Sequence, residues 1–360
     1  MEEILNSQVE SLKIKDFLDS AQNYTKEIFP DLNINNMFTD SLTGKIDNII
    51  NFDSFLKIFS NELSVPINLM FSVLIVVIIH SIFRAIIDNL ENSTASQVVY
   101  IVQYLIIVTI VVKSFVSILD ITKECINELV NFMNLLIPIF LSLILTTGCL
   151  ITTTIAQPVL IFMVGFIGNF INNFLIPLLL ISITISIISN ISDKVQINKI
   201  SLFLKSSIVW ILGIILTIFT CTLSIEGTLS SSVDGLTAKT AKAAVSNFIP
   251  VVGKIMGDTA ETVIGCANIL KNSIGILGVI IIFGISVIPI LKIVLLMLFL
   301  KVTSGVCEVV ADAKIVKLID NIADSYKILL AILISISIMF IIGITIVIKI
   351  TNSSIMYRWG

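Results

Sequence analysis

The chain has 360 residues, of which 56 % are hydrophobic and only 13 % are charged, and its formal net charge is −3. Soluble domains carry about 25 % charged residues, so this composition, with a mean hydropathy of +1.06, excludes a water-soluble globule. It indicates a polytopic membrane protein whose surroundings include the lipid bilayer, and we expect no nucleic-acid partner.

The first 65 residues are polar and acidic, with 11 acidic and 5 basic side chains. Apolar residues recur at roughly helical spacing between Ile46 and Phe59, which indicates amphipathic helices that lie on a membrane or on a partner. A solvated entry segment is the alternative. Because Met1-Glu2-Glu3 is acidic and no apolar core follows, the sequence predicts no signal peptide.

Seven apolar runs follow, and each is long enough for the about 20 residues that cross a bilayer. Two of them, 157–189 and 273–311, are too long for one straight helix, so we expect them to be tilted, broken or folded as hairpins. The sequence therefore predicts an all-α fold with six to nine membrane crossings. The runs cover 66–87, 97–119, 130–155, 157–189, 201–226, 273–311 and 326–350.

Four Ile-Pro pairs indicate an internal repeat. Pro138 and Pro177 recur as Pro250 and Pro289, each shifted by 112 residues. Prolines inside apolar runs free backbone carbonyls, and broken helices at matching positions of two repeats mark substrate or ion pathways in transporters. We predict proline-broken helices in both copies; simple kinked packing is the alternative.

The repeat divides the chain into six segments. A polar N-terminal region precedes two transmembrane helices, the first repeat copy, a linker, the second repeat copy and a short tail. The predicted bounds are 1–65, 66–129, 130–226, 227–242, 243–350 and 351–360.

A polar stretch at 250–272 is predicted to form an amphipathic helix. At 100° per residue, its polar side chains fall within about 40° of one line. Three glycines in it permit close helix packing, two of them in a GxxxG pattern. A solvated surface helix is the alternative to a functional role. The polar side chains are Lys254, Asp258, Glu261, Asn268 and Asn272, and the glycines are Gly253, Gly257 and Gly265.

A second polar stripe follows in the same repeat copy. Lys301, Gly305, Glu308 and Asp312 again fall within about 40° of one helical line. Ionised side chains are costly in lipid. We therefore expect the two stripes to face each other, a protein partner or a watery cavity.

The chain holds no motif for catalysis, cofactor binding or metal binding. Its cysteines form no CxxC pair, and a single histidine, His80, excludes an HExxH site. Gly257-Asp258 is similar to the end of the GxGD signature of intramembrane aspartyl proteases, but Ile255 stands where the first glycine belongs. We expect no enzymatic activity, no cofactor and no metal.

Residues 235–275, GLTAKTAKAAVSNFIPVVGKIMGDTAETVIGCANILKNSIG, resemble the signature segment of the stage III sporulation protein AE family of endospore-forming bacteria. The spacing of the apolar runs through residue 350 is also similar. The resemblance implies a multi-pass subunit of a transport channel between mother cell and forespore, in the mother-cell-derived membrane around the forespore. It implies other channel subunits as partners, among them a separate ATPase and ring-forming proteins, and it assigns no catalytic residue.

We therefore expect a non-enzymatic platform or permease-like conduit that forespore development requires. The alternative is a stand-alone secondary transporter of a small solute, which should move its solute when reconstituted alone.

Overall fold

A computed structural model describes residues 7–10, 14–25, 34–43, 59–60, 62–88, 93–191, 197–248 and 252–359. Side chains are described for most of these positions; the exceptions include 237–248 and 252–261. The described chain is helical apart from short turns, which confirms the all-α prediction.

Nine α-helices are named here in chain order, and a π-helical segment, Ile171–Leu175, joins the fifth to the sixth. Many of their residues are β-branched, which disfavours helix in water. In lipid every backbone N–H and C=O must bond within the segment, and this requirement outweighs that preference. The helices are α1 Ile14–Thr25, α2 Ile34–Thr43, α3 Ser64–Asp88, α4 Ser93–Thr146, α5 Leu150–Phe170, α6 Ile176–Ile191, α7 Asn198–Phe248, α8 Val252–Cys307 and α9 Ala313–Trp359.

Six helical stretches of the described chain are long and apolar enough to cross a membrane, within the predicted range of six to nine. The first, Ser64–Phe83, has 20 residues, and the other five have 37 to 49. At 1.5 Å per residue these five measure about 55 to 75 Å, against about 30 Å of hydrocarbon. The bundle therefore extends well beyond a single bilayer core.

Helices α4, α8 and α9 meet at the centre of the bundle. Gly275 of α8 lies against Ile348 and Phe140, and a Cβ there would collide with Ile348. Gly278 lies in the same way against Leu136 and Ile344. Small residues at such crossings let helices approach closely, which is the main source of packing energy between membrane helices.

The predicted repeat agrees with the structure at one turn and not at another. The turn between α8 and α9 lies at 308–312, and a shift of 112 relates it to 196–200, where α7 begins. The turn at 147–149 would correspond to 259–261, which lies inside α8. Superposition of the two copies stays a prediction.

The four repeat prolines have different surroundings. The chain remains helical through Pro138 and Pro289, so neither position shows the expected chain break. Pro177 is the second residue of α6, and the π-helical segment ends two residues before it, at Leu175. Pro250 lies outside the described residues.

Three predicted segment boundaries fall inside continuous helices. Residues 129 and 130 both lie within α4, and the predicted linker 227–242 lies within α7. Hydroxyl side chains of this part of α7 bond to the preceding turn: Thr228 donates to Ser224 O and Ser232 donates to Thr228 O, each at 2.8 Å. Such bonds satisfy the hydroxyl groups without a partner outside the helix.

The N-terminal helices pack on the chain's own bundle. Ile14, Phe17 and Leu18 of α1 are buried, and the Phe17 ring lies 6.1 Å from the ring of Phe132 in α4. Lys292 of α8 pairs with Glu62 at 3.5 Å. Helices α1 and α2 thus cover α4 and α8, with a polar face left exposed. The amphipathic pattern predicted between Ile46 and Phe59 lies outside the described residues except at Phe59.

Phe17→Ala is expected to release α1 from α4, because removing a buried phenylalanine side chain costs about 3 to 5 kcal/mol. The measurement is hydrogen exchange of residues 14–25 in the full chain, with the exposed neighbour Asp16→Ala as control. Protection should fall in Phe17→Ala alone. Equal protection in both variants would show that α1 docking does not depend on this contact.

Candidate functional site

Four ionised side chains from three helices meet near the α8–α9 turn, and we call them the charged cluster: Lys205, Lys301, Asp320 and Asp324. The Lys301 ammonium lies 2.5 Å from Asp320 and 3.0 Å from Asp324. Lys205 of α7 is within electrostatic range of both carboxylates. Two cations and two anions balance, which lowers the cost of placing charge in an apolar bundle.

Lys205 connects α7 to α9 by a hydrogen bond to the backbone of α9. Its side chain is only 6 % exposed, and its ammonium donates to the carbonyl oxygen of Asn321 at 2.7 Å. The Ser325 hydroxyl donates to the same oxygen at 2.8 Å. A cation from α7 therefore holds the first turns of α9, which also supply Asp320 and Asp324.

A cavity of 470 Å³ opens beside the charged cluster. Lys301 and Asp320 line it together with Glu308, Lys317 and Asn198. Counting 1.5 Å per residue, Lys301 lies about 9 Å from the end of α8, and Asp324 about 17 Å from the start of α9. The cavity thus places fixed charges of both signs inside the ends of two apolar helices.

The second predicted stripe belongs to this cavity. Lys301, Gly305 and Glu308 all line it, as expected of side chains on one helical line. Asp312 lies beyond the end of α8, where its backbone oxygen accepts from the amides of Ile315 and Val316 at 2.9 and 3.2 Å. The stripe thus borders a cavity, while its predicted role on a pathway or at an interface stays a prediction.

The first predicted stripe lies on the same helix at the opposite end of the bundle. Residues 252–261 are described as helix, but the side chains of Lys254, Asp258 and Glu261 and the surroundings of Gly253 and Gly257 are not. The stripes cannot face each other, because α8 is one continuous helix with about 50 Å between residues 268 and 301.

The described remainder of this first stripe surrounds a buried lysine. Asn268 Oδ1 accepts a hydrogen bond from Lys271 at 3.2 Å, and Lys271 is fully buried close to Cys149. No donor among the described residues reaches the buried Asn272 Oδ1. Gly265 faces open space. Lys271 is therefore a second buried cation, far from the charged cluster.

Asp234 of α7 caps helix α5 at this same end. One carboxylate oxygen accepts from the amide of Ile151 at 3.0 Å and the other from Thr152 at 2.9 Å. The chain reaches this cap through Gly148, whose positive φ of 79° favours glycine. A buried carboxylate thus satisfies two of the four free N–H groups at the start of a helix and complements its dipole.

The Lys301 ammonium of the charged cluster is paired with side chains of the same cluster. Both carboxylates are paired with Lys301, and the described residues bring together no set of three or more His, Cys, Asp or Glu side chains that could hold a metal. The arrangement can pair, orient or exchange with a charged solute, which is the usual role of ionised side chains inside membrane proteins.

Lys205, Asp320, Asp324 and Asp234 were absent from the sequence-derived candidates. A signal for three of them was present: Lys205 interrupts an apolar run, and Asp320 and Asp324 stand four residues apart near the start of another. Intramembrane ionisable residues are functional candidates by default. The cap by Asp234 had no local signal, because its partners lie 82 and 83 residues away.

Comparison with known proteins identifies relatives over most of the chain. The family model for stage III sporulation protein AE matches residues 32–351. A Bacillus subtilis (strain 168) protein named stage III sporulation protein AE is 28 % identical over 285 residues, which cover 78 % of this chain and 71 % of that protein. No solved structure matches the chain.

Proposed function

Because the chain belongs to the stage III sporulation protein AE family, we propose that this multi-pass membrane protein is a non-enzymatic subunit of a transport channel between mother cell and forespore. It would reside in the mother-cell-derived membrane around the forespore. There it would serve as a platform or permease-like conduit that forespore development requires.

The observation that carries a transport role is the charged cluster with its cavity. Lys205, Lys301, Asp320 and Asp324 come from three apolar helices and meet beside a polar opening at one end of the bundle. Ionised side chains within apolar helices of membrane proteins commonly lie on a solute or ion pathway, and this observation supports a transport role.

The length of the helices supports a role within a larger assembly. Apolar stretches of 37 to 49 residues exceed what a bilayer of about 30 Å can cover, even with a 40° tilt. The partners we propose are other channel subunits, including a separate ATPase and ring-forming proteins, which would cover apolar surface that lipid does not reach.

The alternative is a stand-alone secondary transporter of a small solute, and the same cavity favours it. The two functions differ in what the purified chain does alone. A secondary transporter needs only an ion or solute gradient, whereas a channel subunit needs its partners.

The experiment has two parts. The chain purified from sporulating cells is expected to co-purify with other channel subunits after cross-linking, and liposomes that contain it alone are expected to show no more flux of amino acids, inorganic ions or sugars than empty liposomes. Saturable flux by the chain alone, without co-purifying subunits, would establish the alternative.

A further inference from the structure

An apolar groove runs along the outside of the bundle between α3 and α4. It has a volume of 330 Å³ and is lined by side chains that include Val76, Ile79 and Phe83 of α3 and Val102 of α4. Ile79, Phe83 and Val102 are each about half exposed. The groove is thus open towards the bilayer and unoccupied by the described chain.

The groove continues along the outward face of α4. An adjoining hollow of 340 Å³ is lined by Val102, Leu105, Ile106, Thr109 and Ile110. Residues 98 to 110 cover about 18 Å of helix. This length is sufficient for several turns of another helix lying along α4.

One buried polar side chain, Gln103, lies in the wall of this groove. It is 4 % exposed, and neither its amide nitrogen nor its amide oxygen has a hydrogen-bond partner among the described residues. An unpaired amide inside a membrane protein costs free energy, because neither lipid nor neighbouring apolar side chains can bond to it. Both amide atoms are buried in the wall, so a partner in the groove would reach them only after a change of the Gln103 rotamer.

The amide identifies the chemistry of the occupant. A lipid chain has the apolar surface to fill the groove but offers neither donor nor acceptor at this depth. A second amide offers both, because each primary amide donates through its nitrogen and accepts through its oxygen. Amide side chains form such bonds between membrane helices.

We propose that the α3–α4 groove is the contact between two copies of this chain, in which the two Gln103 side chains bond to each other across a two-fold axis. A two-fold contact places the same patch on both sides, so a self-complementary group close to the axis meets its own copy. The exposed apolar side chains of α3 and α4 pack around that pair.

The test is the dimerisation of the full-length protein in lipid bilayers, measured by single-molecule photobleaching over a range of protein-to-lipid ratios. The wild-type chain is expected to dimerise, and Gln103→Leu is expected to raise the dissociation constant about tenfold, since two interhelical hydrogen bonds are lost. The matched control is Gln157→Leu on α5, where the glutamine is exposed, and it should leave dimerisation unchanged.

A cross-linking measurement keeps the proposal testable if Gln103→Leu fails to fold. Val102→Cys is placed in a Cys221→Ser background, because Cys221 is the exposed cysteine of the chain and the other four are buried. Oxidation should link two copies through residue 102. A monomeric wild-type chain, a dimer that this cysteine does not link, or a Gln103→Leu dimer of wild-type affinity would each overturn the proposal. A monomeric chain that retains a bound lipid in the groove would also overturn the proposal.

Discussion

Asp234→Ala is expected to unfold the start of α5 and to lower the free energy of unfolding by about 3 to 5 kcal/mol, because two hydrogen bonds to a carboxylate are lost together. The amides of Ile151 and Thr152, in the first turn of α5, would then have lost their acceptor. The lost charge also removes a favourable interaction with the dipole of α5.

The measurement is denaturation of the purified chain in detergent, followed by helical circular dichroism. Asp120→Ala on α4 is the matched control, since that aspartate is exposed. Asp234→Asn should fall between wild type and Asp234→Ala, because one side-chain oxygen can still accept. If Asp234→Ala is as stable as Asp120→Ala, the cap contributes little.

The double change Asp320→Asn, Asp324→Asn is expected to destabilise the bundle by about 3 kcal/mol. Removing the partners of a buried ion and leaving its charge uncompensated costs about 3 to 5 kcal/mol. The buried Lys205 should experience most of that cost, whereas Lys301, which is 42 % exposed, can turn towards solvent. Loss of the two carboxylates removes the anions that face both lysines.

The same denaturation measurement tests this double variant. Asp120→Asn with Glu124→Gln is the matched control, because these two carboxylates also stand four residues apart and are exposed on α4. The control should unfold like wild type. Equal unfolding of the two double variants would mean that Lys205 is satisfied by the carbonyl of Asn321 alone.

The features that could be predicted from the sequence are those that depend on neighbours along the chain. Hydropathy over about 20 residues located the membrane helices, and helical periodicity placed Lys301 and Glu308 on one line that proved to border a cavity. Hydropathy and helical periodicity depend only on residues close in sequence, so both can be interpreted without knowing how the helices pack.

The remaining features depend on which helices meet. Lys205 lies 116 residues from the carbonyl it binds, and 19 residues separate Lys301 from Asp320. No periodicity connects such pairs. Likewise, no pattern along α1 identifies the surface that this helix covers, which the Phe17–Phe132 contact places on α4.

The predicted linker, residues 227–242, is helical and lies within α7; its role as a boundary between repeat copies stays a prediction. Residues 227–242 are rich in small polar residues, which favour loops in water. Within the bundle, bonds of Thr228 and Ser232 to the preceding turn and of Asp234 to α5 satisfy these groups, so the helix continues. Packing and local hydrogen bonding thus override the compositional signal.

The most direct test of the proposed role of the charged cluster removes all four charges at once. The variant Lys205→Met, Lys301→Met, Asp320→Asn, Asp324→Asn leaves no unpaired ion, and replacing buried ion pairs by uncharged groups is often neutral for stability. We predict that it accumulates and folds like wild type in sporulating cells, while the number of heat-resistant spores falls to that of cells lacking the chain. Wild-type spore numbers with this neutral variant, at matched protein levels, would contradict a transport role for the cluster.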